Sequence, residues 1–202
     1  MKTALLEYGV AVAAHPGESE VGDRRLVKTW RGGALVAVVD GLGHGAEAAE
    51  VAKLAIHTLE RHASEKVITL LKQCHACLQS TRGVVMSLAS FNALEGTMTW
   101  LGVGNVEGLL MRADARVSPN REALLLRGGV VGGELPALRA SVHPVFYGDT
   151  LIFATDGIGQ DFASKINMAD TPHDIAKHIM ERCSKGTDDA LVLAARYLGR
   201  PR

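Results

Sequence analysis

The apolar positions of the chain fall into short blocks separated by glycine and acidic residues, and the clearest block is Ala34–Val39. ALVAVV has no polar alternation, which is the pattern of a strand buried on both faces. Asp40 follows directly, then Gly41, Gly43 and Gly45. From Ala46 the period becomes helical as far as about His62. Ala49, Ala52, Leu54, Ile56 and Leu59 form the apolar stripe, and Glu47 and Glu50 lie in the first turns. A carboxylate is thus left where a buried strand ends, held by a turn that a Cβ would strain. An ionised Asp so placed needs a partner, because charge taken out of water is costly unless paired or bound to a cation.

The same reading extends along the chain. Residues 4–13 and 25–30 predict a first pair of strands, and the connection between them carries His15, Glu18, Glu20 and Asp23. A second helix is expected from about Glu65 to Ser80, with Ser64 as its N-cap. GVVMSLASFNAL, GTMTWLGVG, VEGLLMRA and EALLLRG then read as a meander, with a tight turn or bulge in VGNVEG at 103–108. A glycine-rich loop, GGVVGGELP, covers Gly128–Pro136, and LRASVHPVF follows as a strand. TLIFATDGIG repeats the opening pattern: an apolar strand, then Asp156 and Gly157. Thr171 and Pro172 start a helix to about Cys183, and Asp188 and Asp189 precede a last apolar strand. This order predicts an α+β fold with two mostly antiparallel sheets packed together and helices outside, not a doubly wound βαβ sheet. One domain over 1–202 is expected, without linker or low-complexity segment.

Composition narrows the function classes. The chain has 202 residues, 47% apolar and 22% charged, enough for a substantial core. Its 22 basic and 22 acidic residues cancel, so neither a nucleic-acid footprint nor a polybasic membrane patch is implied. No apolar run approaches the roughly 20 residues of a membrane span. The signal-like N-terminus is interrupted by Glu7 and Gly9 and reads as a strand, so a cytoplasmic protein is expected. Three cysteines do not make a disulfide framework. Cys74 and Cys77 flank His75 with zinc-like spacing, but Cys183 is the only other cysteine and the segment is helical. Buried apolar thiols are the expectation there.

The chemistry is concentrated in Gly22-Asp23, Asp40-Gly41, Asp156-Gly157 and Asp188-Asp189, each at a strand end or beside one. A single Asp-Gly is a common turn dipeptide. Several carboxylates gathered at one rim repel each other unless cations sit between them. All-oxygen ligation without His or Cys favours magnesium or manganese, and two such ions suit hydrolysis at phosphorus.

VAVVDGLGHG, FATDGIG and the terminal TDDALVL, in that order, resemble the signature segments of the metal-dependent protein serine/threonine phosphatase (PPM) family, in particular its compact SpoIIE and RsbX branch. GVGNVEG and the glycine-rich loop before Leu135-Pro136 are similar to that branch as well. The resemblance implies a four-layer α-β-β-α sandwich with two Mn2+ or Mg2+ ions, manganese favoured. Asp40 would bridge both ions, joined at one of them by the Gly41 carbonyl. Asp156 and Asp188 would complete the first ion's ligands, and Asp23 would serve the second. Asp189 is the alternative to Asp188. A metal-activated water would attack phosphoserine or phosphothreonine without a covalent enzyme intermediate. The implied substrates are phosphorylated STAS-domain proteins of a stressosome, or another anti-sigma-factor antagonist. Gly132 and Gly133, in the glycine-rich loop, are candidate substrate contacts.

Two positions depart from the family pattern. Leu42 stands where many members carry a His two residues after the bridging Asp, which makes His44 the candidate catalytic proton donor. Leu191 replaces the usual Thr of the terminal motif, and no arginine early in the chain offers a phosphate clamp. Two rival readings compete. GLGHGA at 41–46 fits a dinucleotide fingerprint, but a second helix follows where a strand should come, and Asp40 would repel a pyrophosphate. A catalytically inactive partner-binding module is the other, and retention of the acidic positions argues against it.

Overall fold

Side-chain parity along one strand decides the layering. The computed structural model describes residues 4–18 and 20–199. Strand β3, Gly33–Gly41, is the central apolar run of the sequence. Its even positions Ala34, Val36 and Val38 belong to a core that also holds Leu151, Phe153, Leu191 and Leu193. Its odd positions Leu35, Ala37 and Val39 belong to a second core with Ala52, Ala55, Leu59, Leu70 and Leu71. Alternate residues of a strand face opposite sides, so β3 has another sheet on one side and helices on the other.

Flanking β3 are β1 (Leu6–Ala13) and β2 (Asp23–Trp30) before it, then α1 (Gly45–Arg61) and α2 (Val67–Leu78) after it. The chain continues through β4 (Val84–Asn92), β5 (Thr97–Val103), β6 (Glu107–Met111), β7 (Arg121–Ala123) and β8 (Ser141–Pro144). It ends with β9 (Thr150–Ala154), a 3₁₀ turn over Gln160–Lys165, α3 (Pro172–Cys183) and β10 (Ala190–Tyr197). One sheet runs β2-β3-β4-β5-β8 and the other β1-β10-β9-β6-β7, with every pairing antiparallel. Helices α1 and α2 cover the first sheet, and α3 covers the second through Ile175, Ala176 and Ile179. The result is the four-layer α-β-β-α sandwich. Trp100, Phe91 and Phe153 are fully buried between the sheets, each stabilising by about 1.5–3 kcal/mol. No helix among the described residues is long and apolar enough to cross a membrane.

Several expectations need correction. The strands read as a first pair do not pair: β1 joins β10 and β2 joins β3, so the connection between them passes from sheet to sheet. The meander is also divided. β4 and β5 form a hairpin, but β6 lies beside β9 in the other sheet, and VGNVEG is the crossing. Gly104 makes that crossing possible with φ +97; a Cβ there would lie 2.2 Å from the Cβ of Val85. Local sequence cannot distinguish a turn within a sheet from one between sheets, because both interrupt the apolar pattern alike. Helix α2 starts at Val67 after Lys66, not after a Ser64 cap. Of EALLLRG, only Glu122 and Ala123 belong to a strand, β7, and Arg127 adds an isolated bridge to Val103. Cys74 and Cys183 are buried as expected, but Cys77 is exposed.

Candidate metal centre

The two facing sheets deliver their acidic residues to the same end of the sandwich. Asp40 continues the even positions of β3 toward the inter-sheet gap, and Asp23 lies directly opposite it in the β2–β3 ladder. Directly paired residues put their Cβ atoms about 5 Å apart on one face, where like charges destabilise. On the other sheet, Ala154 of β9 pairs with Val192 of β10. Thr155 and Asp156 leaving β9 are therefore beside Asp188 and Asp189 entering β10. Asp23 belongs to β2 itself and not, as the sequence suggests, to the preceding connection.

Each carboxylate is held differently. Asp23 is buried and its Oδ2 accepts from Thr155 Oγ1 at 2.7 Å. Asp189 is buried too, with Oδ1 accepting from the His15 N–H at 2.7 Å and Oδ2 from the Gly22 N–H at 2.6 Å. Exposed Asp188 accepts the Asp189 N–H on Oδ1 at 2.8 Å. Asp156, also exposed, accepts from Asn105 Nδ2 at 2.7 Å, and Lys185 Nζ donates to its carbonyl at 2.5 Å. Partly buried Asp40 has no side-chain hydrogen-bond donor among the described residues.

Electrostatics ties these groups together. Burial pushes the Asp40 carboxyl up to about 8, and the charges of Asp23, Asp156, Asp188 and Asp189 push in the same direction. Burial likewise raises Asp23 to about 7; the Thr155 hydroxyl opposes this, and Asp189, Asp156 and Asp188 add to it. The structure thus brings Asp23, Asp40, Asp156, Asp188 and Asp189 within mutual electrostatic reach. Among the described residues no three His, Cys, Asp or Glu side chains form a closed cage for one ion. Asp189 turns to backbone amides, Asp156 to Asn105 and Asp23 to Thr155, which keeps the repelling oxygens apart. The donor set still suits hard divalent cations: it is all oxygen, and Asp40 is a partly desolvated carboxylate without a donor.

The glycines of the two Asp-Gly turns give room for close approach. A Cβ on Gly41 would lie 2.2 Å from the Ala48 carbonyl oxygen in α1, and one on Gly157 would lie 2.0 Å from the Asp189 carbonyl oxygen. His44 stands at the N-cap position of α1 but makes no side-chain cap. Its Nδ1 donates to Glu18 Oε1 at 2.9 Å, and its ring stacks on His15 with centroids 4.8 Å apart. His15 is the residue whose amide binds Asp189, so His44 connects to the acidic rim through that loop. Gly132 lies against Leu78 at the end of α2, and its N–H donates to His75 Nδ1 at 3.1 Å. Val131 next to it bridges Val84, which pairs with Gly41. The glycine-rich loop with Gly132 and Gly133 is therefore about two strand spacings, ~10 Å, from Gly41.

Four residues near this rim were not among the sequence candidates: Thr155, Asn105, Lys185 and Arg82. Arg82 pairs with Glu47 and donates from Nη1 to the Leu42 carbonyl at 3.0 Å. An arginine 40 positions beyond Leu42 cannot be assigned to its turn from sequence. Thr155 lies within FATDGIG and Asn105 within GVGNVEG, and a search for polar neighbours of each Asp would have reached Thr155.

A model of the Stage II sporulation protein E (SpoIIE) family matches residues 31–198. The phosphoserine phosphatase RsbX of Bacillus subtilis (strain 168) is 26% identical over 176 residues, covering 86% of this chain and 85% of RsbX. A chain from a structure of the bacterial stressosome, described as a modular system adapted to control secondary messenger signaling, matches with TM-score 0.86 at 30% identity. The match covers 95% of this chain and 99% of that one. A crystal structure of RsbX in complex with magnesium matches with TM-score 0.84 at 23% identity, covering 98% of each chain.

Proposed function

The chain belongs to the SpoIIE family of PP2C-type serine/threonine phosphatases, and from that premise we propose that it removes phosphate from phosphoserine or phosphothreonine on STAS-domain proteins of a stressosome, ending a stress signal. The observation that carries the reading is the Asp40 carboxylate, opposite Asp23 and without a donor; burial and the charges of the neighbouring aspartates press Asp40 and Asp23 toward the neutral state. Two divalent cations, manganese favoured over magnesium, would relieve that repulsion.

In this reading Asp40 would serve both ions, with the Gly41 carbonyl joining it at one of them; Asp156 and Asp188 would serve the first, and Asp23 the second. Asp189 keeps a structural task, because both of its oxygens already accept backbone N–H groups. When bound, such a pair supplies an acidified water and neutralises charge on the phosphoryl group. His44, oriented through Nδ1 by Glu18, gives a proton to the departing serine or threonine oxygen. Gly132 and Gly133 offer backbone contacts to the substrate protein. The choice of stressosome partners is supported by the likeness to RsbX and to the stressosome chain, and a cytoplasmic location goes with such partners.

The test is dephosphorylation of a panel of phosphorylated STAS-domain proteins with manganese, with EDTA, and after Asp40→Asn. Manganese-dependent release that falls about 100-fold or more in Asp40→Asn is expected, since loss of even an outer partner of a metal ligand costs about 10–100-fold. Release that neither EDTA nor the substitution changes would sink the reading. Activity on phosphoserine peptides but on no STAS protein would retain the chemistry and reject the partner.

A further inference from the structure

Resting on the two-ion reading, we infer that Thr155 is a positioning residue, whose hydroxyl fixes Asp23 in one sheet from the end of a strand in the other and so sets the second cation site. Thr155 follows β9 and continues the odd positions Leu151 and Phe153, which face the inter-sheet core. Its side chain is buried, as is that of Asp23.

The direction of the hydroxyl proton follows from its neighbours. The Leu191 N–H points at Thr155 Oγ1 at 2.8 Å, and an N–H can only donate, so Oγ1 accepts there. The single hydroxyl proton is left to be given elsewhere. Two acceptors are within reach, the Leu191 carbonyl at 3.5 Å and Asp23 Oδ2 at 2.7 Å. The shorter contact, to a carboxylate, takes it. Asp23 Oδ2 is thereby engaged, while Oδ1 has no protein donor among the described residues and is the oxygen left for a cation.

The arrangement also locates the support that the terminal motif lacks. Position 191 carries leucine and no hydroxyl. The backbone N–H of that same residue is tied instead to the hydroxyl of Thr155, which passes the constraint across the gap to Asp23. Strand β10, the end of β9 and the start of β2 are thus joined through one oxygen atom. A ligand held this way keeps its orientation when the cation leaves, which favours re-entry of the ion.

The experiment compares Thr155→Val, which keeps the shape and removes the hydroxyl, with Thr155→Ser, which keeps the hydroxyl. Manganese binding is measured calorimetrically, and the paired ions are read from the exchange-coupled Mn2+ signal in electron paramagnetic resonance. Thr155→Val is expected to weaken the second manganese by about 10–100-fold and to abolish the coupled signal. Thr155→Ser should stay within about threefold of wild type, the hydroxyl being intact. In an Asp23→Asn background, Thr155→Val should add no further loss, because the two act as a unit. A coupled pair that survives Thr155→Val at unchanged affinity overturns the assignment, and so does a Thr155→Ser protein as impaired as Thr155→Val. Wild-type protein that never takes up a second manganese overturns the two-ion reading itself, an outcome distinct from either.

Discussion

Asp40 stands directly opposite Asp23 across the β2–β3 ladder, with a threonine hydroxyl on the second carboxylate and no donor on the first. Such a pair is a source of instability in the metal-free protein. Both carboxyls rise in the fold, to about 7 and about 8, from an ordinary value of 3.8. Between those values the folded chain holds more protons than the unfolded one, so stability falls as pH rises. Their contribution is fully present below about pH 4 and is lost as pH climbs through 7 to 8. In EDTA, the urea midpoint should therefore drop from pH 5 to pH 8. Asp40→Asn should flatten that slope, and manganese should restore the midpoint at pH 8. A midpoint that rises with pH in EDTA would contradict the electrostatics described here.

The adjacent aspartates before β10 should respond in opposite ways. Asp189 accepts two backbone N–H groups from His15 and Gly22. Asp189→Ala should cost about 3 kcal/mol in urea unfolding of the metal-free protein, the scale of hydrogen bonds to a charged group. Asp188 is exposed, so Asp188→Ala should change metal-free stability by less than about 0.5 kcal/mol while weakening manganese binding. Calorimetry on both variants separates a strut from a ligand, and a reversed pattern would exchange their roles.

The contact between His44 and Glu18 can be tested through leaving-group chemistry. An aryl phosphate departs as a stable phenolate and needs little proton donation, whereas a serine alkoxide needs a proton. His44→Ala should slow phosphoserine peptide hydrolysis about 100-fold and aryl phosphate hydrolysis far less. Glu18→Gln should fall between wild type and His44→Ala on the peptide. Equal losses on both substrates would remove His44 from proton transfer.

Glycine substitutions probe the close approach behind the carboxylates. A Cβ at Gly157 would meet the Asp189 carbonyl oxygen at 2.0 Å, whereas one at Gly128 would meet nothing within 4 Å. Gly157→Ala should destabilise by about 1–3 kcal/mol through forced backbone movement and should weaken manganese binding. Gly128→Ala should stay within about 0.5 kcal/mol of wild type. Thermal unfolding with and without manganese checks both.

Much of the architecture is legible because its cause is local. ALVAVV at Ala34–Val39 and the run before Asp156 announce buried strands, and Thr171 with Pro172 announces α3, whose N-cap accepts from the Asp174 N–H as expected. Partnership between elements is another matter. Nothing in residues 103–108 states that the chain is leaving one sheet for the other, because apolar alternation records burial and not the identity of the neighbour. The aspartates could be selected by their place at strand ends. Which group holds which aspartate could not. Thr155 meets Asp23 across 132 positions, and Asn105 meets Asp156 across 51. His15 and Gly22 reach Asp189 through main-chain amides, which every residue except proline possesses and which therefore leave no mark in composition.

Strand β10 lies between β1 and β9 in its sheet and carries the terminal aspartates into position. β1 is an edge strand whose sheet neighbour is β10, so in folding it gains a partner only when β10 is in place. Until then Asp23 and Asp40 can face each other in the folding chain, but the wall that Thr155, Asp156, Asp188 and Asp189 provide has no fixed place. The aspartate cluster therefore comes together only once β10 has paired with both β1 and β9.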